Sequence, residues 1–457
     1  MNSIHHFVND FVNELTQLSL ADEGISSYTE KAEALFQTHF LDFVADQISE
    51  MDDFLVSQSA LRPQWRVEKG PVERTIETKA GTLRYSRRYY RHRETKQYCY
   101  LLDNVLQVSK FSRVDDALTA SLASSACSHS YQAAALEEAG GRVSRTTVMH
   151  SVRTVQAPEL SSVEPRRVCR ELHLQADEDH VALQQGRKKS AQVRLVAIHE
   201  RKKQVGKDRH VLPERELMSS VGESPEAFWW RVLDRLDALY AIDEVERIYL
   251  HGDGASWIRK GLEILPRSIF ILDGFHLERA ISGLCGGDPS LKSRIRSCLH
   301  PWDKQRLCEE VQMLIDSSVC DEKKAQRTLG YFLRQREGIE NHYGLDHGGS
   351  CAEGLISHVL SKRFSRDPMG WSTQSLRNLS ALRVFLLNGG VLDYRLVREA
   401  EDSVKEPEEW ETHLRVHHRR SRKDGMKEWS AMIPGSENSG GALGHWMKGI
   451  QRGGFVN

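Results

Sequence analysis

Ile248-Tyr-Leu-His-Gly-Asp-Gly-Ala-Ser-Trp-Ile258 is the stretch on which the fold turns. Ile248, Tyr249 and Leu250 form an apolar run of strand type, broken at Gly252-Asp253-Gly254. Trp257, Ile258, Leu262 and Leu265 then recur at helical spacing. A carboxylate between glycines at the carboxyl end of a core strand stands where open α/β sheets hold ligands and metals. Asp-Gly is also a common turn dipeptide, so Asp253 gains meaning only from its flanks.

Upstream, Glu171-Leu-His-Leu-Gln-Ala-Asp177 and Val193-Arg-Leu-Val-Ala-Ile-His199 carry strand patterns, and a third strand is expected around Arg209-His-Val-Leu212. An amphipathic helix follows over Phe228–Tyr240, with Trp229, Val232, Leu233 and Leu236 on one face. Downstream of Asp253 comes another buried run, Ser268-Ile-Phe-Ile-Leu272. The order β-β-β-α-β-α-β, three antiparallel strands followed by alternating helix and strand, is that of a ribonuclease-H-like α/β core. Residues 277–345 read as an all-α insertion, and 346–400 as helices returning to the core. The first part of the core then spans 165–276.

Three acidic residues fall at convergent places: Asp177 at the end of the first strand, Asp253, and Glu353 in Gly349-Ser-Cys-Ala-Glu-Gly-Leu-Ile-Ser-His358. Carboxylates gathered at one point repel one another unless a cation intervenes. Mg²⁺ is the expected ion, because it prefers oxygen ligands. Two such ions can activate a water or 3′-hydroxyl and neutralise the leaving oxygen of a phosphodiester. Asp179 competes with Asp177, being on the same strand face. Glu353 equally fits a capping box with Ser350 as N-cap, which leaves Asp346 and Glu340 as substitutes. Asp273 and His276, in Ile271-Leu-Asp-Gly-Phe-His276, fall at the same sheet edge, where a histidine can orient a phosphate or donate a proton. Packing is the rival role for His276.

The amino-terminal part has a different texture. Residues 1–60 are helical in pattern, with Phe7, Phe11, Val12 and Leu15 at three- and four-residue steps. Residues 61–110 read as a small β-rich basic region. There Leu83-Arg-Tyr-Ser-Arg-Arg-Tyr-Tyr-Arg-His-Arg93 interleaves arginines with tyrosines, and Gly81 forms the turn before it. Arg84, Arg87, Arg88 and Arg91 are candidates for phosphate contacts, against a solvated, charge-protected edge strand. Residues 111–160 contain a helix-turn-helix pattern: Tyr131–Ala139, Gly140-Gly141, then a helix capped by Ser144. Its outward side chains would be Arg145, Thr146 and His150. Arg187, Lys188 and Lys189 form a basic tip between the first two core strands. Residues 401–457 are expected to be a basic, flexible tail.

Composition adds bounds. The 457 residues carry 63 Lys+Arg against 64 Asp+Glu, so net charge points to no partner. No apolar run approaches the ~20 residues of a transmembrane helix, and Met1-Asn-Ser-Ile-His-His6 lacks a secretory pattern. A cytoplasmic protein with no membrane partner is expected. Eight cysteines without a C-x-x-C argue against a zinc ribbon or disulfide framework.

Taken together, Gln175-Ala-Asp-Glu-Asp-His-Val-Ala-Leu-Gln184, His251-Gly-Asp-Gly-Ala-Ser-Trp-Ile258, Asp273-Gly-Phe-His276 and Ala352-Glu-Gly-Leu-Ile-Ser-His-Val-Leu-Ser361 resemble a group of bacterial insertion-sequence transposases. The group was long catalogued as an uncharacterised protein family and is distantly similar to Mutator-type transposases. Arg87-Arg-Tyr-Tyr90, Leu101-Leu-Asp103 and Pro368-Met-Gly-Trp371 extend the likeness over roughly residues 60–390. The resemblance implies a DDE transposase with Asp177, Asp253 and Glu353 as its metal-binding triad, and Mg²⁺ as cofactor with Mn²⁺ as substitute. Asp273 and His276 match an Asp-x-x-His signature. Its partners would be double-stranded DNA, as element terminal inverted repeats and as target, and a second copy of the chain, since two ends must be brought together. The competing classes are a DNA-binding regulator with relic carboxylates and a structure-selective nuclease on the same core.

Overall fold

A computed structural model describes residues 3–158, 165–184, 189–206, 210–366, 370–399 and 408–432. It is a mixed α/β protein with two compact units. One comprises Met1–Thr119, Ala135–Val143 and Glu401–Asn457; the other comprises Ala120–Ala134 and Ser144–Ala400. Among the described residues no helix is long and apolar enough to cross a membrane.

In the first unit, α1 (Ser3–Leu15) packs along α2 (Leu20–Ser57), which breaks at Gly24. Strands β1 (Trp65–Thr78) and β2 (Gly81–His92) form a long antiparallel hairpin, extended by the short β3 (Tyr98–Cys99), and α3 spans Leu101–Leu106. Ile48, Met51, Leu55, Tyr85, Tyr90, Leu101 and Leu102 make its core. Helices α4 (Asp116–Ala126) and α5 (Tyr131–Ala139) follow, each divided between the two units. The expected flexible tail is instead helical over part of its length. Helix α18 (Glu409–Met432) buries Trp410 and Leu414 in this core and stacks His417 on Phe54 at 3.8 Å. Those three residues recur at helical spacing on an otherwise charged segment. Residues 433–457 lie outside the described residues.

In the second unit, α6 (Arg145–Thr154) is capped by Ser144, whose hydroxyl accepts from Thr147 N at 3.2 Å. Its sheet contains β4 (Glu171–Ala182), β5 (Ser190–His199), β8 (Glu216–Val221), β9 (Arg247–Gly252) and β10 (Ser268–Leu272), in the order β10-β9-β4-β5-β8. β4, β5 and β8 are antiparallel neighbours, whereas β4, β9 and β10 run parallel. The segment expected to be the third strand is not in this sheet. His210–Val211 (β7) instead pairs with Lys203–Gln204 (β6) as a two-residue ribbon, and Glu216–Val221 takes the sheet position. Arg209 lies outside the described residues.

The sheet's two faces differ in chemistry. Leu172, Leu174, Val196, Ile198, Ile248, Leu250 and Phe270 point into an apolar core with α7 (Pro225–Leu239) and α8 (Ser256–Ile264), through Phe228, Trp229, Val232, Trp257 and Ile258. That core continues into five helices, α9 (Gly274–Leu284), α10 (Pro289–Leu299), α11 (Lys304–Asp316), α12 (Glu322–Arg334) and α13 (Arg336–Gly344). Their starts are written in the sequence as caps: Asp288 before Pro289, then Asp303 and Asp321. Beyond α13, a short helix α14 (Ala352–Leu355) runs through a π turn (Ile356–Ser361) into α15 (Lys362–Phe364). Helix α16 (Thr373–Leu387) packs on β8 and α6, and α17 spans Tyr394–Glu399.

Helix α13 approaches β10 closely because Gly338 carries no side chain: a Cβ there would stand 2.4 Å from the Phe270 ring. Gly338→Ala should therefore destabilise the protein by about 1–3 kcal/mol through overpacking. The same change in an exposed helix would stabilise by roughly 1 kcal/mol. Urea unfolding reads the sign, and a gain in stability would contradict the close approach.

Candidate functional site

Parallel pairing puts the acidic residues at one edge. Gln175 of β4 stands opposite His251 of β9, so Asp177 and Asp253 each follow two residues beyond a paired position. Leu272 of β10 is opposite Gly252, and Asp273 N donates to Gly252 O at 2.9 Å. Asp253 and Asp273 thus follow the carboxyl ends of β9 and β10, whereas Asp177 does not end its strand as expected: β4 runs on to Ala182 against β5, and Asp177 lies within it, just past the point where pairing with β9 stops.

Their environments separate their roles. Asp273 is buried; one oxygen caps α9 by accepting from Phe275 N at 2.6 Å, and the other lies 2.6 Å from the Ser350 hydroxyl. Both its oxygens are engaged, so Asp273 is a clamp and not an open catalytic carboxylate. The Ser350 hydroxyl also sits 2.9 Å from Gln175 Oε1, which in turn accepts from Cys351 N at 3.2 Å. This lock ties the start of α14 to β4 and β10.

Glu353, the second residue of α14, is exposed. The expected capping box is absent: the N-cap is Cys351, and the Ser350 hydroxyl accepts from Ala352 N. Ligand atoms of Asp177, His276 and Glu353 lie within 4.8 Å of one another. Ligand bonds of ~2.0–2.2 Å to a common ion put ligand atoms up to about 4.4 Å apart, so small rotations would close the set. Asp177 Oδ1 accepts from Glu178 N at 2.8 Å, and Oδ2 faces His276 Nε2 at 3.9 Å. That nitrogen is buried without a hydrogen-bond partner. The Asp177 carboxylate raises the imidazole above its ordinary pKa against the opposing effect of burial, with further help from Asp273 and Asp253.

Asp253 stands beside this group and not within it. Its Oδ1 accepts from Ala255 N at 2.8 Å, in a turn that Gly254 allows by adopting φ +84°. Asp253 lines an open cleft of about 360 Å³ with His276, Arg279, Ala280, Arg327, Thr328 and Tyr331. The expected triad therefore appears as Asp177 and Glu353 joined by His276, with Asp253 adjoining. Asp179 is held by the Ser365 hydroxyl at 2.7 Å, Asp346 pairs with Arg201, and Glu340 pairs with Arg336 at 3.1 Å.

The basic candidates divide sharply. Arg87 is buried, paired with Asp103 and stacked over the Tyr100 ring at 3.5 Å, so it is not available to a phosphate. Arg88 pairs with Asp52 and Asp53, and Arg91 lies over Tyr98. Arg84 is exposed. Arg145, Thr146 and His150 are all exposed on α6, whose other face buries Val148 and Val152. Lys189 is exposed, and Arg187 and Lys188 lie outside the described residues.

One feature of the site had no signal in the sequence beyond scattered histidines. On the sheet face opposite the apolar core, His173 lies 3.4 Å from His251 and stacks on His199, and His347 adjoins His251 and His342. Gln175 joins this layer to the lock, with its Nε2 3.2 Å from His199 Nε2. Burial is the main cause that depresses His173 to about 3 and His199 to about 4.

The profile of an uncharacterised protein family, UPF0236, matches residues 20–402. Two UPF0236 proteins of Caldanaerobacter subterraneus subsp. tengcongensis are each 33% identical over 350 residues. The alignments cover 76% of this chain and 74% and 70% of the relatives. A UPF0236 protein of Streptococcus gallolyticus, named for the vanSb 3′ region, is 24% identical over 402 residues, covering 83% of this chain and 86% of its own.

The histidine layer makes stability depend on pH. Unfolded histidines titrate near ~6.5, so below that pH the unfolded chain takes up protons that folded His173 and His199 refuse. Stability is then complete above pH ~6.5 and falls with acidification. Between pH 7.5 and 5.5 the pair should cost about 2–3 kcal/mol. Urea midpoints at the two pH values measure it, and replacing both histidines with Gln should reduce the difference by about that amount, the part due to buried His251 and His342 remaining.

Proposed function

The chain belongs to the uncharacterised protein family UPF0236, and from this membership and the site's geometry we propose that it is a DDE-type transposase of a bacterial insertion sequence, built on a ribonuclease-H-like core. The strand order β10-β9-β4-β5-β8, antiparallel on one side and parallel on the other, supports that core. The observation that carries the proposal is the group Asp177, His276 and Glu353, within 4.8 Å at the edge that Asp253 also closes.

The donor set fits a hard divalent cation. Two carboxylates suit Mg²⁺, and the imidazole with its unpartnered nitrogen also suits Mn²⁺. Such an ion supplies activation of a water or 3′-hydroxyl and neutralises charge on the reacting phosphodiester. The chain's own residues do the positioning. Asp177 is held by the Glu178 amide, Glu353 is delivered by the Ser350 lock, and Asp253 fixes one oxygen on the Ala255 amide while lining the cleft. In-line phosphoryl transfer depends on such placement more than on a protein nucleophile.

The relatives add independent support. One name spans four loci and another eleven loci of a single genome. A gene multiplied within one genome is the trace that transposition leaves. Exposed Arg145, Thr146 and His150 on one helix suit contact with the element's ends, and joining two ends calls for at least two copies of the chain.

Excision and joining of a marked element with its native flanks tests the proposal. Asp177→Asn, Asp253→Asn and Glu353→Gln should each lower product by ~10²-fold or more while still binding the ends. A wild-type chain that binds the ends without cutting would point to a DNA-binding regulator. Full activity in Glu353→Gln would remove that residue from the site.

A further inference from the structure

The cleft beside Asp253 has a second wall whose chemistry is opposite to that of the acidic edge. Helix α9 presents His276, Arg279 and Ala280 at i, i+3 and i+4, and α12 presents Arg327, Thr328 and Tyr331 within little more than one turn. The cavity, about 360 Å³, is at the lower end of the range for ligand sites.

The cations of this wall are uncommitted. Elsewhere on the same group of helices three arginines are paired, Arg296 with Glu278, Arg294 with Glu310, and Arg336 with Glu340. Arg279 has no acidic partner among the described residues, and Arg327 donates only to Lys323 O of its own helix, at 3.3 Å. Between them the Tyr331 hydroxyl is buried without a hydrogen-bond partner. A buried, unsatisfied hydroxyl is costly, and burial first, then the negative charges of Asp253 and Asp273, push this phenol above its ordinary pKa.

We propose that Arg279, Arg327 and Tyr331 form a binding site for a phosphodiester of a nucleic-acid strand, the one adjoining the phosphate that reacts at Asp177, Asp253 and Glu353. The inference rests on the metal-dependent reading of that acidic edge. Two guanidiniums and a phenol lining one cleft offer donors that match phosphate oxygens. A ligand here must be anionic toward the arginines yet tolerate an edge of carboxylates. A strand satisfies both, because one of its phosphates can meet the cation at that edge while its neighbour meets the arginines. The wall is therefore a positioning device: it fixes which bond of the strand faces the acids.

A thymidine trinucleotide, too short to span other basic surfaces, is the probe, titrated into the full chain by ligand-observed NMR. Inorganic phosphate is a parallel probe, and Mn²⁺ binding is followed by electron paramagnetic resonance. The double variant Arg279→Gln/Arg327→Gln should bind the trinucleotide at least about tenfold more weakly. Tyr331→Phe should weaken it by about threefold with a thermal midpoint no lower than that of the wild type, since the hydroxyl it removes is unsatisfied in the free chain. Mn²⁺ affinity should stay within about twofold in all of them, because no metal-binding residue is altered. Undiminished trinucleotide binding in the double variant overturns the proposal. Wild-type binding of inorganic phosphate but not of the trinucleotide also overturns it, in favour of a free-phosphate site. Arginine-dependent trinucleotide binding in a chain that takes no Mn²⁺ would uphold the wall and instead sink the metal-dependent reading.

Discussion

A single hydroxyl governs where the acidic edge ends up. Ser350 lies between Gln175 of β4 and Asp273 at the end of β10, and its own oxygen accepts from the Ala352 amide. That hydroxyl, together with the Cys351 amide on Gln175, gives the start of α14 its polar attachment to the strand ends and so fixes where the exposed Glu353 stands. The lock therefore converts a segment remote in sequence into part of the sheet edge, and Asp273 serves the site through geometry.

The lock is in turn held by the polar face of the sheet. Gln175 can aim its carbonyl at Ser350 and Cys351 because its amide nitrogen faces His199. His199 is matched to this arrangement when neutral: its Nδ1 donates to Glu200 O at 2.5 Å, leaving Nε2 to accept. Lys202, pushed down by burial, donates to Ser350 O at 3.0 Å. A layer of neutral imidazoles thus replaces aliphatic packing under the site. It supplies both donors and acceptors, which an aliphatic layer could not.

Much of this was legible in the sequence, for identifiable reasons. The strands at Glu171, Val193, Ile248 and Ser268 and the helix over Phe228–Tyr240 announce themselves by period, and Asp-Gly after a buried run marked the edge. That the helix begins earlier, at Pro225 with Ser224 as its cap, came from the structure. The third antiparallel strand was misplaced because Arg209–Leu212 and Glu216–Val221 both carry strand-type residues, and only pairing with β5, Leu195 opposite Ser219, decides between them. Arg87 looked like a phosphate ligand because its partner, the buried Asp103, lies in a different element. The histidine layer was invisible for a related reason: His173, His199 and His251 are single residues on three strands until cross-strand register brings them together.

The same principle explains where free positive charge resides. The segment richest in arginine, Arg84–Arg93, commits Arg87, Arg88 and Arg91 to carboxylates or aromatic rings within its own fold. There the guanidinium groups satisfy buried acids and hold a small sheet together. Arg279 and Arg327 come from helices whose sequence is unremarkable, yet they line a cleft whose one lining acid is Asp253. Local density of basic residues records how many cations the chain carries, whereas availability to a ligand depends on which of them the fold leaves unpaired. A near-neutral chain can therefore leave two arginines facing an open cleft, because many of its acids are matched to other arginines.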